Sequence, residues 1–174
     1  MIELARMQPE EGVCFYPWIA DPDVIRYSLS AFQALQTPAQ IDHWFAATLR
    51  DEKSVNLGIY LQATNALIGY AGLSNLSAAN QSAEYFIFVG AKAHWGKGVG
   101  TAVTKQVLAL GFAEHGLNRI MLTVSEPNEG GVKAYTKAGF VVEGRLRAAC
   151  CRDGRFHDKI VMSVLKAEWQ QGRT

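Results

Sequence analysis

The sequence has little charge and no excess of either sign. Charged residues make up 19% of its 174 residues, below the roughly 25% of an average globular chain. Lysine and arginine total 17, aspartate and glutamate total 16, and the formal net charge is +1. Because a nucleic acid or an anionic membrane attracts a protein through a strong positive field, we expect neither as a partner. An anionic ligand must instead be held by a local site.

Cysteines and clustered metal ligands are scarce. Cys14, Cys150 and Cys151 are odd in number and two are adjacent, which argues against a disulfide framework. The four histidines lie far apart, no Cys-x-x-Cys or His-Glu-x-x-His pattern occurs, and no metal site is predicted. Neither a run of about 18 apolar residues nor a basic start followed by an apolar run is found, so we expect a cytoplasmic protein.

Apolar residues are plentiful, at 49%, so the chain can bury a core and disorder is excluded as its main state. The length predicts a single domain over residues 1–174. Hydrophobic periodicity predicts two short helices in an irregular first third, the second over 38–52, and then a β-hairpin over 55–76. An apolar run over 83–90 is typical of a central strand. The exposed pattern of a final strand over 160–165 favours a homodimer.

A glycine-rich turn follows the apolar strand. Gly96, Gly98 and Gly100 precede a helix that we expect to end near Gly116. Glycines let backbone amides approach a ligand, and the helix N-terminus favours an anion, so the segment suits a pyrophosphate, although glycines also simply permit a sharp turn. The spacing fits neither a P-loop nor a dinucleotide-binding motif.

Two motifs carry a resemblance to a known family. The run from Trp95 to Thr101 resembles the acetyl-CoA pyrophosphate loop of the GNAT N-acetyltransferase superfamily, with Trp95 where Gln or Arg is usual. The segment from Asn128 to Phe140 resembles the family's second motif, with Gly131 in place of Ala or Ser. Further runs are similar to the branch of ribosomal-protein N-terminal alanine and polyamine acetyltransferases.

The resemblance implies an α/β (α+β) fold: a mixed, largely antiparallel sheet of six to seven strands flanked by about four helices. It also implies acetyl-CoA as co-substrate, without a metal. The residues that the resemblance and the glycine-rich turn together assign to acetyl-CoA are Phe88, Val89, Trp95, Gly96, Lys97, Gly98, Val99, Gly100, Thr101, Asn128 and Lys137.

Acetyl transfer to an amine needs a base for the amine and an acid for the departing thiolate. Glu84 is the one charged side chain on the central strand and suits a general base, although a solvent-facing glutamate at a strand end has the same pattern. Tyr135 resembles the tyrosine that protonates the CoA sulfur in the family; a core aromatic beside Phe140 is the alternative. Asn128 is also a normal helix N-cap.

The acceptor is less well defined. We expect Tyr27, Trp44 and Ser125 to contact it, because loops and short helices at the mouth of a cofactor groove select the second substrate. Four arginines lie in the hairpin over 144–158, where they either bind an anion or form a solvated face; they are Arg145, Arg147, Arg152 and Arg155. Scattered acidic residues weakly disfavour a polyamine.

The sequence therefore predicts an acetyl-CoA-dependent N-acetyltransferase that acts directly on a primary amine: a protein N-terminus, a polyamine or another small amine. A nucleotide-linked aminosugar acetyltransferase and a catalytically idle acyl-CoA sensor are the alternatives.

Overall fold

A computed structural model describes residues 1–172. One sheet of seven strands runs through it in the order β1-β2-β3-β4-β5-β7-β6. The strands are β1 (Ile2–Ala5), β2 (Val55–Leu61), β3 (Ala66–Ser77), β4 (Ser82–Val89), β5 (Arg119–Ser125), β6 (Val141–Arg152) and β7 (Arg155–Leu165). The helices are α1 (Phe15–Ile19), α2 (Pro22–Ile25), α3 (Ser30–Ala34), α4 (Pro38–Arg50), α5 (Val99–Ala109), α6 (Glu129–Ala138) and α7 (Lys166–Gln171).

The predicted mixed, largely antiparallel sheet is confirmed. Of the described strand pairs, only β4 and β5 are parallel, and α5 forms the crossover between them. Helices are more numerous than expected, because a 3-10 helix over Pro9–Cys14 and the short helices α1 and α3 accompany the two predicted helices of the first third, and α7 follows β7. Asp21 and Thr37 cap α2 and α4 as the prolines after them predict.

The two faces of the sheet are covered by different helices. On one face, α5 packs Val103, Val107 and Leu108 onto the sheet, and all three are fully buried. The other face is covered by the segment from α1 to α4, through an aromatic cluster around Phe15 and Phe32. Along β4, odd positions such as Tyr85 therefore face α5, whereas even positions such as Phe88 face the aromatic cluster.

Strand β4 leaves β5 after only three residue pairs. Ser82, Ala83 and Glu84 pair with Arg119, Ile120 and Met121, but β4 continues to Val89 and β5 to Ser125. No other described strand takes up the β5-facing side of β4 beyond Glu84. The two strands thus diverge and open a cleft in the middle of the sheet.

The expectation that the final strand is exposed is wrong. β7 lies between β5 and β6, and Met162, Ser163 and Val164 are buried. The exposed edge is β6, which the Asp153–Gly154 turn folds back along β7. The sequence pattern missed this because an apolar run does not say which of two paired strands lies outside.

A charged contact ties the edge strand to the sheet. Arg119 on β5 donates two hydrogen bonds of 2.6 Å to Glu143 on β6, and Ser163 on β7 donates one of 2.7 Å to the same carboxylate. The Arg119 guanidinium, with help from the Ser163 hydroxyl, lowers the pKa of Glu143 to about 2.

In the described chain, no helix is long and apolar enough to span a membrane.

Candidate active site

The first cavity, which we call the donor groove, has a volume of about 800 Å³. It lies between the end of β4, the glycine-rich turn and the starts of α5 and α6. Ten of the eleven residues predicted to bind acetyl-CoA line it: Phe88, Val89, Trp95, Gly96, Gly98, Val99, Gly100, Thr101, Asn128 and Lys137. The remaining residue, Lys97, is exposed in the turn and is not part of the wall.

Two glycines shape the turn at one end of the donor groove. Gly96 and Gly98 have φ angles of +70° and +80°, a region that side chains with a Cβ rarely adopt. A Cβ placed at either position would meet no atom within 4 Å, so the space beside them is open. Gly98 is the N-cap of α5, where no side chain of the described residues caps the helix. The first amides of α5 are therefore available to an anion.

Three hydrogen bonds fix the glycine-rich turn and the start of α5 against β4. The Thr104 hydroxyl donates to the Gly100 carbonyl at 2.6 Å and lies 3.0 Å from the Tyr85 hydroxyl on β4. Trp95 donates through its indole nitrogen to the Val89 carbonyl at 2.8 Å. These contacts hold the glycine-rich turn in place over the end of the strand.

The rim of the donor groove carries several cations, which differ in how they are paired. Lys92 forms ion pairs with Asp21 at 2.7 Å and with Asp23 at 3.1 Å. Lys133 lies 3.5 Å from Glu129. Lys137, one turn further along α6, has no ion pair within residues 1–172. Its ammonium group is therefore available to a phosphate at the rim.

A second cavity, which we call the acceptor cavity, has a volume of about 340 Å³. It opens where β4 and β5 diverge, with Thr123 from β5 and Tyr70 from β3 in its wall. Glu84, the last residue of β4 that pairs with β5, also lines it. Asn75 donates a hydrogen bond of 2.8 Å to the Glu84 carboxylate, which leaves the second carboxylate oxygen for a ligand.

The two cavities meet. Five residues line both of them: Tyr27, Ser28, Ile87, Asn128 and Tyr135. Ile87 lies on the diverging part of β4, whereas Asn128 and Tyr135 belong to α6 and its cap. A donor in one cavity and an acceptor in the other would thus approach each other beside Tyr135.

Tyr135 is held in an aromatic corner. Its ring lies edge-on to the rings of Tyr85 and Phe140, with centroids 6.0 and 6.1 Å away. Burial raises the pKa of Tyr135 to about 12. The hydroxyl makes no hydrogen bond within the described part of the chain, so it is a proton donor that remains available to a ligand.

Asn128 caps α6, as one of its two predicted roles requires. Its side-chain oxygen accepts a hydrogen bond of 3.0 Å from the Gly131 amide. A Cβ on Gly131 would lie only 2.7 Å from the Asn128 side-chain nitrogen. The glycine that departs from the family pattern therefore makes room for this position of the asparagine side chain.

Two residues predicted to contact the acceptor lie outside both cavity walls. Trp44 packs in the aromatic cluster, 4.8 Å from Phe32 between ring centroids. Ser125 is buried, and its hydroxyl lies 3.3 Å from the Cys150 thiol. Tyr27, the third, lines both cavities. Substrate contact by these residues stays a prediction, and the structure brings only Tyr27 to the site.

Two cations of the acceptor cavity were not predicted as site residues. Arg152 and Lys159 both line the wall. Arg152 belongs to the arginine cluster that we expected to bind an anion or form a solvated face. Arg145 pairs with Glu126 at 2.7 Å and Asp158 at 3.3 Å, as a surface residue does. No local pattern marks Lys159 as a site residue, because it stands between Asp158 and the apolar run of β7 like any strand-end lysine.

The arrangement defines a class of enzyme. A groove that ends at an open helix N-terminus suits a phosphate-bearing donor, and the adjoining cavity offers a carboxylate and a partly buried phenol to an acceptor. No group of three metal-ligating side chains within residues 1–172 is placed to hold a metal ion. These features are those of a transferase that takes a group from a phosphate-bearing coenzyme and passes it to a second substrate.

Comparisons with known proteins define the family. The model of the acetyltransferase (GNAT) domain matches residues 2–141, so the chain belongs to the GNAT acetyltransferase family and is an N-acetyltransferase that uses acetyl-CoA. The protein p20 of Bacillus licheniformis, named as an uncharacterized N-acetyltransferase, is 25% identical over 169 residues, which cover 97% of this chain and 94% of p20.

Further relatives carry more specific names. YdaF of Bacillus subtilis, named as a candidate ribosomal N-acetyltransferase, is 34% identical over 104 residues, or 60% of this chain and 56% of YdaF. The crystal structure of spermidine N-acetyltransferase from Vibrio cholerae, in complex with CoA and spermine, superposes with a TM-score of 0.86 at 21% identity. That match covers 97% of this chain and 98% of the other, and it shows that the fold is shared.

We expect Gly98→Ala to weaken acetyl-CoA binding roughly tenfold, because a left-handed residue with a Cβ costs about 1–2 kcal/mol and the turn must shift to relieve it. Isothermal titration calorimetry with acetyl-CoA measures the change. Gly116→Ala is the matched control, since Gly116 also has a positive φ of +63° and open space around it but lies outside the donor groove. Equal affinity in the two variants would contradict the assignment of the turn.

Proposed function

We propose that residues 1–174 form one acetyltransferase domain that transfers an acetyl group directly from acetyl-CoA to a small primary amine. The observation that carries this proposal is the junction of the donor groove with the acceptor cavity beside Tyr135. An acyl-CoA sensor would need the donor groove alone. A second cavity that contains Glu84 favours an enzyme with two substrates.

Glu84 is proposed as the general base. A protonated amine has no lone pair with which to attack, and a carboxylate beside it can accept its proton directly or through a water molecule. Glu84 lies where the two strands diverge, on the wall of the acceptor cavity. In this role it takes the proton of the ammonium group, which frees the lone pair that then forms the new nitrogen–carbon bond.

Tyr135 is proposed as the general acid. Acetyl-CoA supplies a thioester whose carbon–sulfur bond breaks during the transfer, and the departing sulfur needs a proton. The raised pKa of Tyr135, about 12, keeps the phenol protonated at neutral pH. The same burial that raises this pKa also raises the proton affinity of a thiolate placed beside it, so the hydroxyl can donate first a hydrogen bond and then its proton to the sulfur.

The proposed acceptor is a primary amine. One solved relative is named for spermidine and one curated relative for the ribosome, so a polyamine and a protein N-terminus are both candidates, as is an aminosugar. The acceptor cavity, at about 340 Å³, fits a small amine or the first residues of a peptide. All three cysteines are free thiols, which fits the reducing cytoplasm that we propose as the site of action.

We also propose a homodimer, formed through the edge strand β6. Val141 and Val142 are each 54% exposed, and Leu146 is 46% exposed. An edge strand with apolar side chains is a surface on which a second copy can pair by two-fold symmetry.

Sedimentation equilibrium at micromolar concentration should therefore give twice the chain mass, because pairing of the two edges buries this apolar surface. Val142→Lys should lower the mass towards that of one chain. Val13→Lys should not, because Val13 is similarly exposed, at 59%, but lies outside β6. A monomer at every concentration would exclude the dimer.

Tyr135→Phe should lower kcat roughly 100-fold, the usual contribution of a general acid, with the Kd for acetyl-CoA within about twofold of the parent. The loss is confined to turnover because the hydroxyl makes no hydrogen bond that the folded chain needs. Single-turnover kinetics and calorimetry measure the two quantities. Tyr60→Phe is the control, because it removes a hydroxyl that contacts Glu11 far from the site. An unchanged kcat in Tyr135→Phe would remove Tyr135 from the mechanism.

Glu84→Gln should reduce the steepness of the fall in kcat/KM towards acid pH, because the base that must lose its proton is gone and only the titration of the amine remains. The profile is measured with one acceptor for both proteins. Asp51→Asn changes a second carboxylate in the same cavity wall and should keep the parent profile. A Glu84→Gln profile with the parent shape would exclude Glu84 as the base.

A further inference from the structure

The acceptor cavity contains charges of both signs. Its charged wall residues are Asp51, Glu84, Arg152 and Lys159, two acidic and two basic. No ion pair joins any of these four to another in the described chain. A cavity that keeps opposite charges apart is equipped to bind a ligand with opposite charges of its own.

Arg152 is held with part of its hydrogen-bonding capacity unused. It lies at the end of β6, where one terminal nitrogen donates to the Cys151 carbonyl at 2.9 Å and the other to the Ser28 carbonyl at 3.4 Å. Its Nε is buried and has no hydrogen-bond partner within residues 1–172. A buried donor without a partner, on a charge without a counterion, is costly, and an anionic ligand would remove that cost.

Lys159 is the second cation without a counterion. It lies on β7 opposite Ser125 of β5 and Leu146 of β6, neither of which is charged. The neighbouring carboxylate of Asp158 is occupied, since it accepts hydrogen bonds from the Ala148 amide at 2.8 Å and from Arg145 at 3.3 Å. Lys159 makes no ion pair among the described residues.

The two carboxylates of the cavity differ in availability. The Ser54 hydroxyl and the Lys53 amide donate to Asp51 and lower its pKa, so this carboxylate is already stabilised by the protein. Among residues 1–172, the Glu84 carboxylate accepts a hydrogen bond only from Asn75. The cavity thus presents one available carboxylate and two unpaired cations, which is the reverse of what a polycation requires.

We propose that the acceptor is a small molecule that carries an anionic group, a carboxylate or a phosphate, together with its primary amine, and that Arg152 and Lys159 bind the anionic group while Glu84 faces the amine. A guanidinium is suited to this task because its parallel N–H groups match the two oxygens of a carboxylate or phosphate. A polyamine would instead place further positive charge beside two cations. This inference rests on the proposed function, because it assigns the second substrate of the same site.

Matched pairs of amines test the inference. L-lysine and 1,5-diaminopentane have the same carbon chain and differ by one carboxylate; glucosamine 6-phosphate and glucosamine differ by one phosphate. Release of CoA from acetyl-CoA is measured for each pair and for spermidine. We expect kcat/KM at least roughly tenfold higher for the anionic member of one pair, the value of one charge-assisted contact, and the pair that shows it identifies a carboxylate or a phosphate as the group.

Variants assign the effect to its residues. Arg152→Gln and Lys159→Gln should each remove most of the preference by raising KM for the anionic member, with KM for acetyl-CoA unchanged, and Arg152→Lys should restore part of it. Arg155→Gln is the matched control, because Arg155 is the cross-strand partner of Arg152 but is exposed and lies outside the cavity wall. It makes the same change of charge in the same hairpin and should keep the parent preference.

Calorimetric binding of the same amines to the CoA-bound protein separates the two proposals. If none of the amines is acetylated but the anionic members bind in an Arg152-dependent manner, the proposed function fails and the anionic subsite stands. If amines are acetylated but spermidine or the members without the anionic group react as well as the anionic ones, the inference is wrong and the proposed function stands. Equal binding of both members of each pair, or equal effects of Arg152→Gln and Arg155→Gln, also overturns the inference.

Discussion

The short parallel pairing between β4 and β5 is the constraint on which the site depends. Pairing ends at Glu84 and Met121, and the divergence beyond it opens the sheet at its centre. The donor groove extends from this opening towards α5 and α6, and the acceptor cavity extends from it towards the first helices. Because both cavities use the same opening, Tyr135 borders donor and acceptor at once, and Glu84 lies at the point where the divergence begins.

The near-neutral composition is consistent with this architecture. A chain with a formal charge of +1 has no long-range field for an anion, and the structure instead offers local ones: the uncapped start of α5 and Lys137 for the donor, and Arg152 with Lys159 in the acceptor cavity. Each of these groups lacks a protein counterion within residues 1–172. Selectivity for both substrates then comes from a few groups at short range rather than from the surface as a whole.

Local chemistry explains how much of the site was predictable. Glycines at 96 and 98 with positive φ, the Asn128 cap and the Gly139 end of α6 depend on neighbours in sequence, and ten of eleven predicted donor residues line the groove. Trp44 lies outside both cavity walls, because a residue on an amphipathic helix can face a core or a cavity with the same spacing. The positions of Arg152 and Lys159 in the cavity wall depend on how the hairpin of β6 and β7 meets the segment around Ser28. Ser28 is more than 120 residues from Arg152 in sequence, so no local pattern indicates this arrangement.

An amide NMR titration of the protein with CoA and, separately, with an amine that it acetylates tests directly whether the two substrates meet beside Tyr135. We expect CoA to shift the amides of the glycine-rich turn from Gly96 to Thr101 and the amine to shift those around Glu84. The two sets should overlap at Ile87 and Tyr135, where the cavities meet. Two sets of shifts without residues in common would contradict this expectation, because donor and acceptor would then bind too far apart for direct transfer.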